Sequence, residues 1–325
     1  MPAPTAGLVR ERAVDIGATL GWYRYGAGDP TTSMTTAGRG SGSRGCFVRG
    51  TLTPEGPGTL ELTWGAATPD GAAVVEGLRG LRYRSWGPGG DWLASGAAAM
   101  AGADDPGDET LRSAPDPAVA AAARARDGVR FGASRNLYHE LLPNIIGQRI
   151  TVGEAYRQWR ELCRSLGEPA PGPFDGLVLP PSPDVLANTP SWWFHPLGIE
   201  RKRAEPLIEV ARHPRKLWEW AACSTDIGTA ATMLARLRGI GQWTIGSVLG
   251  PALGDPDAVA IGDYHLKNTV GWALAGEARA TDERMMELLE PYRGQRGRVT
   301  RLLKMNGNGA PRFGPKKRIL PMRDW

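Results

Sequence analysis

Leu237-Arg238-Gly239-Ile240-Gly241-Gln242-Trp243-Thr244, followed by Ile261-Gly262-Asp263-Tyr264, is the stretch that decides the fold. Apolar positions at three-to-four spacing flank the glycines, over 225–236 before them and 242–249 after them. The segment therefore reads as two helices joined by a tight turn. Glycines at 239 and 241 allow positive φ without Cβ crowding. The N–H groups of such a turn, with those of the helix starting at Gln242, make a site for an anion such as a phosphate. Taken alone, Gly-x-Gly between helices is also an ordinary connection. A lone aspartate, Asp263, opens the next helix 22 residues beyond Gly241.

The chain around this stretch has 325 residues, 41% hydrophobic and 22% charged, enough for two or three folded domains with a sizeable core. No apolar run reaches the length of a membrane span, and MPAPTAGLVRERAVDIG lacks a signal-peptide core, so a cytoplasmic location is expected. Cys46, Cys163 and Cys223 are far apart and offer neither a disulfide framework nor a metal cluster. The net charge of +5 is unevenly spread, because residues 291–325 carry ten basic side chains against the single acidic Asp324. Such a terminus suits a polyanionic partner, whose counterions it would release. A solvated tail with no partner has the same composition.

Residues 1–112 read as a separate α+β module. Phe47–Thr53 and Thr59–Trp64 alternate with period two around Pro54-Glu55-Gly56-Pro57-Gly58, which predicts a hairpin. Ala18–Tyr25 and Leu78–Trp86 are further strand candidates, Asp91–Met100 is a short helix, and Thr36–Gly45 is a flexible loop. From about 115 the pattern turns helical. Helices are expected over 116–126, 137–146, 151–166, 182–186, 197–211, 264–275, 282–289 and 295–305, with Thr151 and Glu154 forming a capping box. Glu168–Pro183 is a connector, and 306–325 forms a basic extended tail.

LRGIGQWTIGSVLG with AVAIGDYHLKN is similar to the helix-hairpin-helix DNA glycosylase superfamily, nearest its bacterial 3-methyladenine DNA glycosylase II type. Leu142-Pro143-Asn144-Ile145-Ile146-Gly147-Gln148-Arg149-Ile150-Thr151-Val152 resembles that family's I-L-G-Q-x-V-S helix junction. Pro196-Leu197-Gly198-Ile199-Glu200-Arg201-Lys202-Arg203-Ala204 resembles its L-G-x-x-x-x-R-A turn. The resemblance covers about 130–305. It implies an α+β protein: a small N-terminal α+β domain (1–112), then an all-α, two-lobed core (113–305), then the tail.

The resemblance makes Asp263 the catalytic carboxylate. A fixed carboxylate near C1′ stabilises the positive charge that builds on the sugar and orients or deprotonates the attacking water. Asp263 is equally suited to capping the helix that follows it, and the two roles are compatible. Relatives that also cut the strand use a hairpin lysine as nucleophile. Trp243 stands there, and no lysine lies between Lys216 and Lys267. A monofunctional glycosylase that leaves an abasic site is therefore expected. With no cysteine beyond Cys223, the four-cysteine iron–sulfur cluster of some branches is excluded, and no cofactor is required.

Trp243 matches the tryptophan that stacks on the extruded base, an attraction strengthened when an alkylated purine is cationic. A core role is the alternative. Ser247 stands where relatives have a pocket tyrosine, and Arg301 aligns with an expected pocket tryptophan, so the lesion preference departs from the pattern. Gln148 belongs to the same pocket set. Arg149 would act as the wedge that fills the vacated stack, or is an exposed helix-end arginine. Trp192 and Trp193 form a further aromatic pair that packs in the core or supplements the pocket. Gly239, Gly241, Gln242, Thr244, His265 and Lys267 complete the DNA-contacting set, with a monovalent ion at the hairpin carbonyls as an option.

The expected protein is thus a monomer, nucleoid-associated in the cytoplasm. It flips alkylated bases of the 3-methyladenine and 7-methylguanine class out of damaged duplex DNA and hydrolyses their glycosidic bond. The alternatives are the same scaffold acting on deaminated or bulky-adduct bases, and a damaged-DNA-binding protein without activity. Asp263 argues against the second.

Overall fold

The computed structural model describes residues 14–65, 71–78, 80–222 and 227–311. The chain opens on α1 (Ile16–Leu20), started by Asp15, whose Oδ1 accepts the Ala18 N–H at 3.0 Å. A 3-10 turn, Gly21–Tyr23, follows. Ala18–Tyr25 is therefore not the strand its apolar content suggested. The aspartate cap starts a helix first, and Leu20 and Tyr23 reach the core from it.

The antiparallel sheet comprises β1 (Thr32–Ala37), β2 (Arg44–Thr53), β3 (Gly56–Trp64), β4 (Ala73–Val74) and β5 (Leu81–Trp86), in the order β1-β2-β3-β5-β4. The β2–β3 hairpin is as expected, with Phe47 opposite Leu62, but only Pro54 and Glu55 lie between Thr53 and Gly56. Pairing of Thr36 with Gly45 and Ala37 with Arg44 brings both ends of the expected 36–45 loop into strands. Leu78 precedes β5 rather than starting it.

Strand alternation gives the sheet two faces. Phe47, Leu60, Leu62, Trp64 and Leu81 pack with Leu20, Tyr23 and α2 (Gly90–Met100) in one core. Val48 on the other face is covered by Ala170, Leu177 and Leu179 of the 168–183 connector, which is thereby built into the fold.

The helical region begins with α3 (Pro117–Ala125), α4 (Leu137–Ile146) and α5 (Val152–Leu166). Thr151 caps α5 by accepting from the Glu154 N–H, while the Glu154 carboxylate turns to Arg157 and Gln158, so only half of the expected capping box forms. Next come α6 (Pro183–Asn188), α7 (Arg201–Ala211), α8 (Pro214–Ala222), α9 (Ile227–Leu234) and α10 (Gln242–Leu253). Sequence periodicity missed α8, in which only Leu217 and Ala221 are buried. The chain closes with α11 (Leu266–Ala275), α12 (Asp282–Leu289) and α13 (Arg296–Met305).

Two helical cores result. One gathers α4 to α10 around Leu141, Ile145, Trp159, Leu207 and Val248. The other gathers α3 and α11 to α13 around Val119, Val270, Met285 and Val299. Leu111 belongs to this second core, so the chain enters it before residue 113. Among the described residues, no helix is long and apolar enough to cross a membrane. Cys223 and the chain from Arg312 on, with most of the basic tail, lie outside the described residues.

The sheet docks on the first helical core through a buried polar cluster. Arg49 pairs with Glu140 at 2.7 Å, and Tyr25 donates to the same carboxylate at 3.2 Å. Asn144 in turn donates to the Tyr25 hydroxyl at 2.9 Å. His139 lies between the hydroxyls of Thr51 (2.7 Å) and Thr31 (3.4 Å). Burial, with the Arg49 charge adding to it, holds the His139 pKa well below its ordinary value.

Candidate active site

The hairpin between α9 and α10 is anchored by Leu237 and Ile240, both buried. Gly239 has φ +86°, and a Cβ there would sit 2.3 Å from Pro206 Cγ of α7. Both facts demand glycine. Gly241 is different: its φ is −100°, and a Cβ would meet nothing within 4 Å. The expectation of positive φ at both glycines is corrected there, and what Gly241 contributes is open space. No side chain caps α10, so its first N–H groups have no side-chain acceptor.

Asp263 lies in the loop between α10 and α11, where the two helical cores meet. Its Oδ1 accepts from the N–H groups of His265 (2.8 Å) and Leu266 (2.9 Å), which opens α11. Its Oδ2 faces the Trp243 indole N–H at 3.4 Å. One carboxylate oxygen is thus spent on structure and the other turns toward the tryptophan. Asp282, at the start of α12, supports this loop. It accepts the Gly262 N–H at 3.0 Å and pairs with Lys267 at 3.3 Å. Tyr264 and His265 are exposed beside Asp263.

Trp243 is half-buried. On its far side, a Cβ added to Gly147 would be 3.5 Å from the Trp243 ring, so the indole spans from the end of α4 to Asp263. Trp243, Ser247 and Gly250 follow at i, i+4 and i+7 along one face of α10. Ser247 Oγ donates back to the Trp243 carbonyl at 2.7 Å. Trp22 fills the space over Gly250, where a Cβ would come within 2.5 Å of its ring. The Arg301 guanidinium stacks over Trp22, 3.9 Å from the ring centroid, and donates to the carbonyls of Arg130 and Ala18. Burial presses its pKa down. Arg301 is therefore held against Trp22 and Phe131 at the boundary between the sheet domain and α13. Sequence reasoning did not find Trp22. Its only signal is an aromatic residue directly after the short first helix.

Gln148 and Arg149 form the junction after α4. The Gln148 amide donates to the Gly239 carbonyl at 3.0 Å and to Thr244 Oγ1 at 2.9 Å, tying junction to hairpin. The same bond occupies one hairpin carbonyl. Arg149 is exposed and left-handed, φ +60°, which a non-glycine residue adopts at a cost. Arg203 of the 196–204 segment is buried. It donates to the Ile146 and Gly198 carbonyls and to Gln158, capping the end of α4. Two sequence motifs, far apart in the chain, thus build one junction. Trp192 is exposed, whereas Trp193 packs against Phe194 and the first helical core.

No family model matches the chain. A putative DNA-3-methyladenine glycosylase of Bacillus subtilis is 25% identical over 140 residues, 42% of this chain and 46% of that protein. A second Bacillus subtilis protein, a DNA-3-methyladenine glycosylase, is 25% identical over 183 residues, 55% and 59%. The matches thus span about half the length of these curated relatives. Among solved structures, the 3-methyladenine DNA glycosylase of Archaeoglobus fulgidus superposes with TM-score 0.70 at 17% identity, covering 91% of this chain and 96% of that one. An 8-oxoguanine glycosylase/lyase of Clostridium acetobutylicum superposes with TM-score 0.56 at 12% identity, covering 81% and 86%. The fold is that of the helix-hairpin-helix DNA glycosylases. The sequence matches, at 25% identity, are to DNA-3-methyladenine glycosylases.

Proposed function

We propose that the protein is a monofunctional DNA glycosylase that excises alkylated bases of the 3-methyladenine and 7-methylguanine class from duplex DNA. The observation that carries this is Asp263, with one oxygen fixed on the start of α11 and the other turned to Trp243. The target nucleotide swings out of the stack, its base against the Trp243 ring and its sugar over Asp263. The C1′–N bond breaks and its electron pair leaves with the cationic base, which departs neutral and needs no general acid. Asp263 stabilises the positive charge left on the sugar. Water then adds to C1′ and gives up a proton through the carboxylate, leaving an abasic site.

The hairpin and the open end of α10 hold a backbone phosphate, and Arg149 fills the vacated stack. Trp243 in the position of the strand-cutting lysine supports hydrolysis without cleavage. The test is incubation with duplexes carrying a single 7-methylguanine or 3-methyladenine, followed by treatment with and without alkali. Strand breaks only after alkali are expected. Breaks without alkali would contradict the monofunctional reading, and release of only deaminated or bulky bases would move the substrate class.

A further inference from the structure

Arg238 directly precedes Gly239 and is exposed, as is Arg201 at the first position of α7, at 86% and 80%. Both arginines converge on one carboxylate. Glu205 Oε1 lies 2.6 Å from Arg201 Nε, and its Oε2 lies 3.9 Å from Arg238 Nη2. The arginines hold the Glu205 pKa below the ordinary carboxylate range. Their spacing is not left to chance. Pro206, the next residue of α7, packs under Gly239 so closely that no Cβ would fit, which fixes α7 against the hairpin.

We infer that Arg201 and Arg238 form a second phosphate clamp beside the hairpin, which Glu205 occupies until DNA arrives. This rests on the DNA-binding reading above and adds a site to it. The two oxygens of Glu205 stand where two non-bridging oxygens of one phosphate would stand. Guanidinium matches phosphate in geometry at least as well as carboxylate. An exposed ion pair is weak, so exchanging Glu205 for phosphate costs little, whereas binding the phosphate also releases counterions. The hairpin N–H groups grip one phosphate without a charged side chain. The clamp supplies the charge that they lack and extends the grip along the same strand.

The test measures Kd for a duplex carrying an uncleavable abasic analogue across a range of salt concentrations. Unaltered protein is compared with Arg201→Ala, Arg201→Ala/Arg238→Ala and Glu205→Gln. Losing the clamped phosphate, in the double variant, should make the log–log salt slope shallower by about 0.9. Arg201→Ala alone, outside the hairpin, should account for about half of that. Glu205→Gln should bind several-fold tighter at low salt. An unchanged slope in the double variant, or Glu205→Gln binding no tighter, would overturn the clamp while leaving the glycosylase reading intact. Absence of DNA binding by the unaltered protein would overturn both.

Discussion

Gln148 reaches from the end of α4 to Thr244 in the first turn of α10, 2.9 Å from its hydroxyl, and the same amide nitrogen holds the Gly239 carbonyl. The junction that carries Arg149 and the hairpin are thereby one unit. On the proposed function, a duplex gripped by the hairpin would present its stack to Arg149 at a set distance.

Gln148→Ala removes both bonds. At about 1 kcal/mol net each, affinity for an abasic-analogue duplex should fall by roughly ten- to thirtyfold. Fluorescence anisotropy measures this. Because the hairpin keeps its own anchors in Leu237 and Ile240, the salt slope should not change.

Asp282 holds the Gly262 N–H and Lys267 on either side of Asp263. Asp282→Ala should lower the single-turnover excision rate roughly ten- to a hundredfold through misplacement of the Asp263 loop, with little change in Kd. Asp282→Asn keeps an acceptor for the Gly262 N–H and should restore most of the rate. Equal impairment of both variants would show that the acceptor at that position does not matter.

Trp243→Ala should weaken excision by roughly tenfold or more, since stacking on a base contributes about 1–3 kcal/mol. Trp243→Phe keeps a ring while losing the N–H toward Asp263 and should lie between Ala and the unaltered protein. Gel analysis without alkali should show intact strands for all three.

His139 is buried and its pKa is depressed in the folded chain, so the unfolded chain binds the extra proton first. This contribution to stability is complete above the unfolded histidine value of about 6.5 and is lost as pH falls below it. Urea midpoints measured from pH 8 to pH 5 should fall more steeply for the unaltered protein than for His139→Gln.

The hairpin, the aspartate and the junction were legible because each is a local signal: a glycine turn, a cap residue, a helix end. The same holds for α5, with Thr151 at its start. What escaped depends on distant partners. β1 pairs Thr36 with Gly45 and Ala37 with Arg44, in a stretch whose glycines suggested a loop. The α8 helix buries only Leu217 and Ala221, too few to show a period. Trp22 joins the α10 wall only because Gly250, 228 residues later, leaves room for its ring. Ser247 and Arg301 were read as gaps in an aromatic pocket. In the fold Ser247 bonds to its own helix, while Arg301 is stacked on Trp22 and tied to the Arg130 and Ala18 carbonyls. None of those partners is adjacent in sequence to Arg301.

On the proposed function, Asp263 performs the chemistry and does not merely open α11. Asp263→Asn separates the two roles, because an asparagine oxygen can still accept from His265 and Leu266 while the negative charge is gone. Single-turnover release of 7-methylguanine from a defined duplex is the measurement. The expected rate is at least about 10²-fold lower, with unchanged melting temperature and near-unchanged affinity for an abasic-analogue duplex. Release by Asp263→Asn at the rate of the unaltered protein would contradict a catalytic role for Asp263.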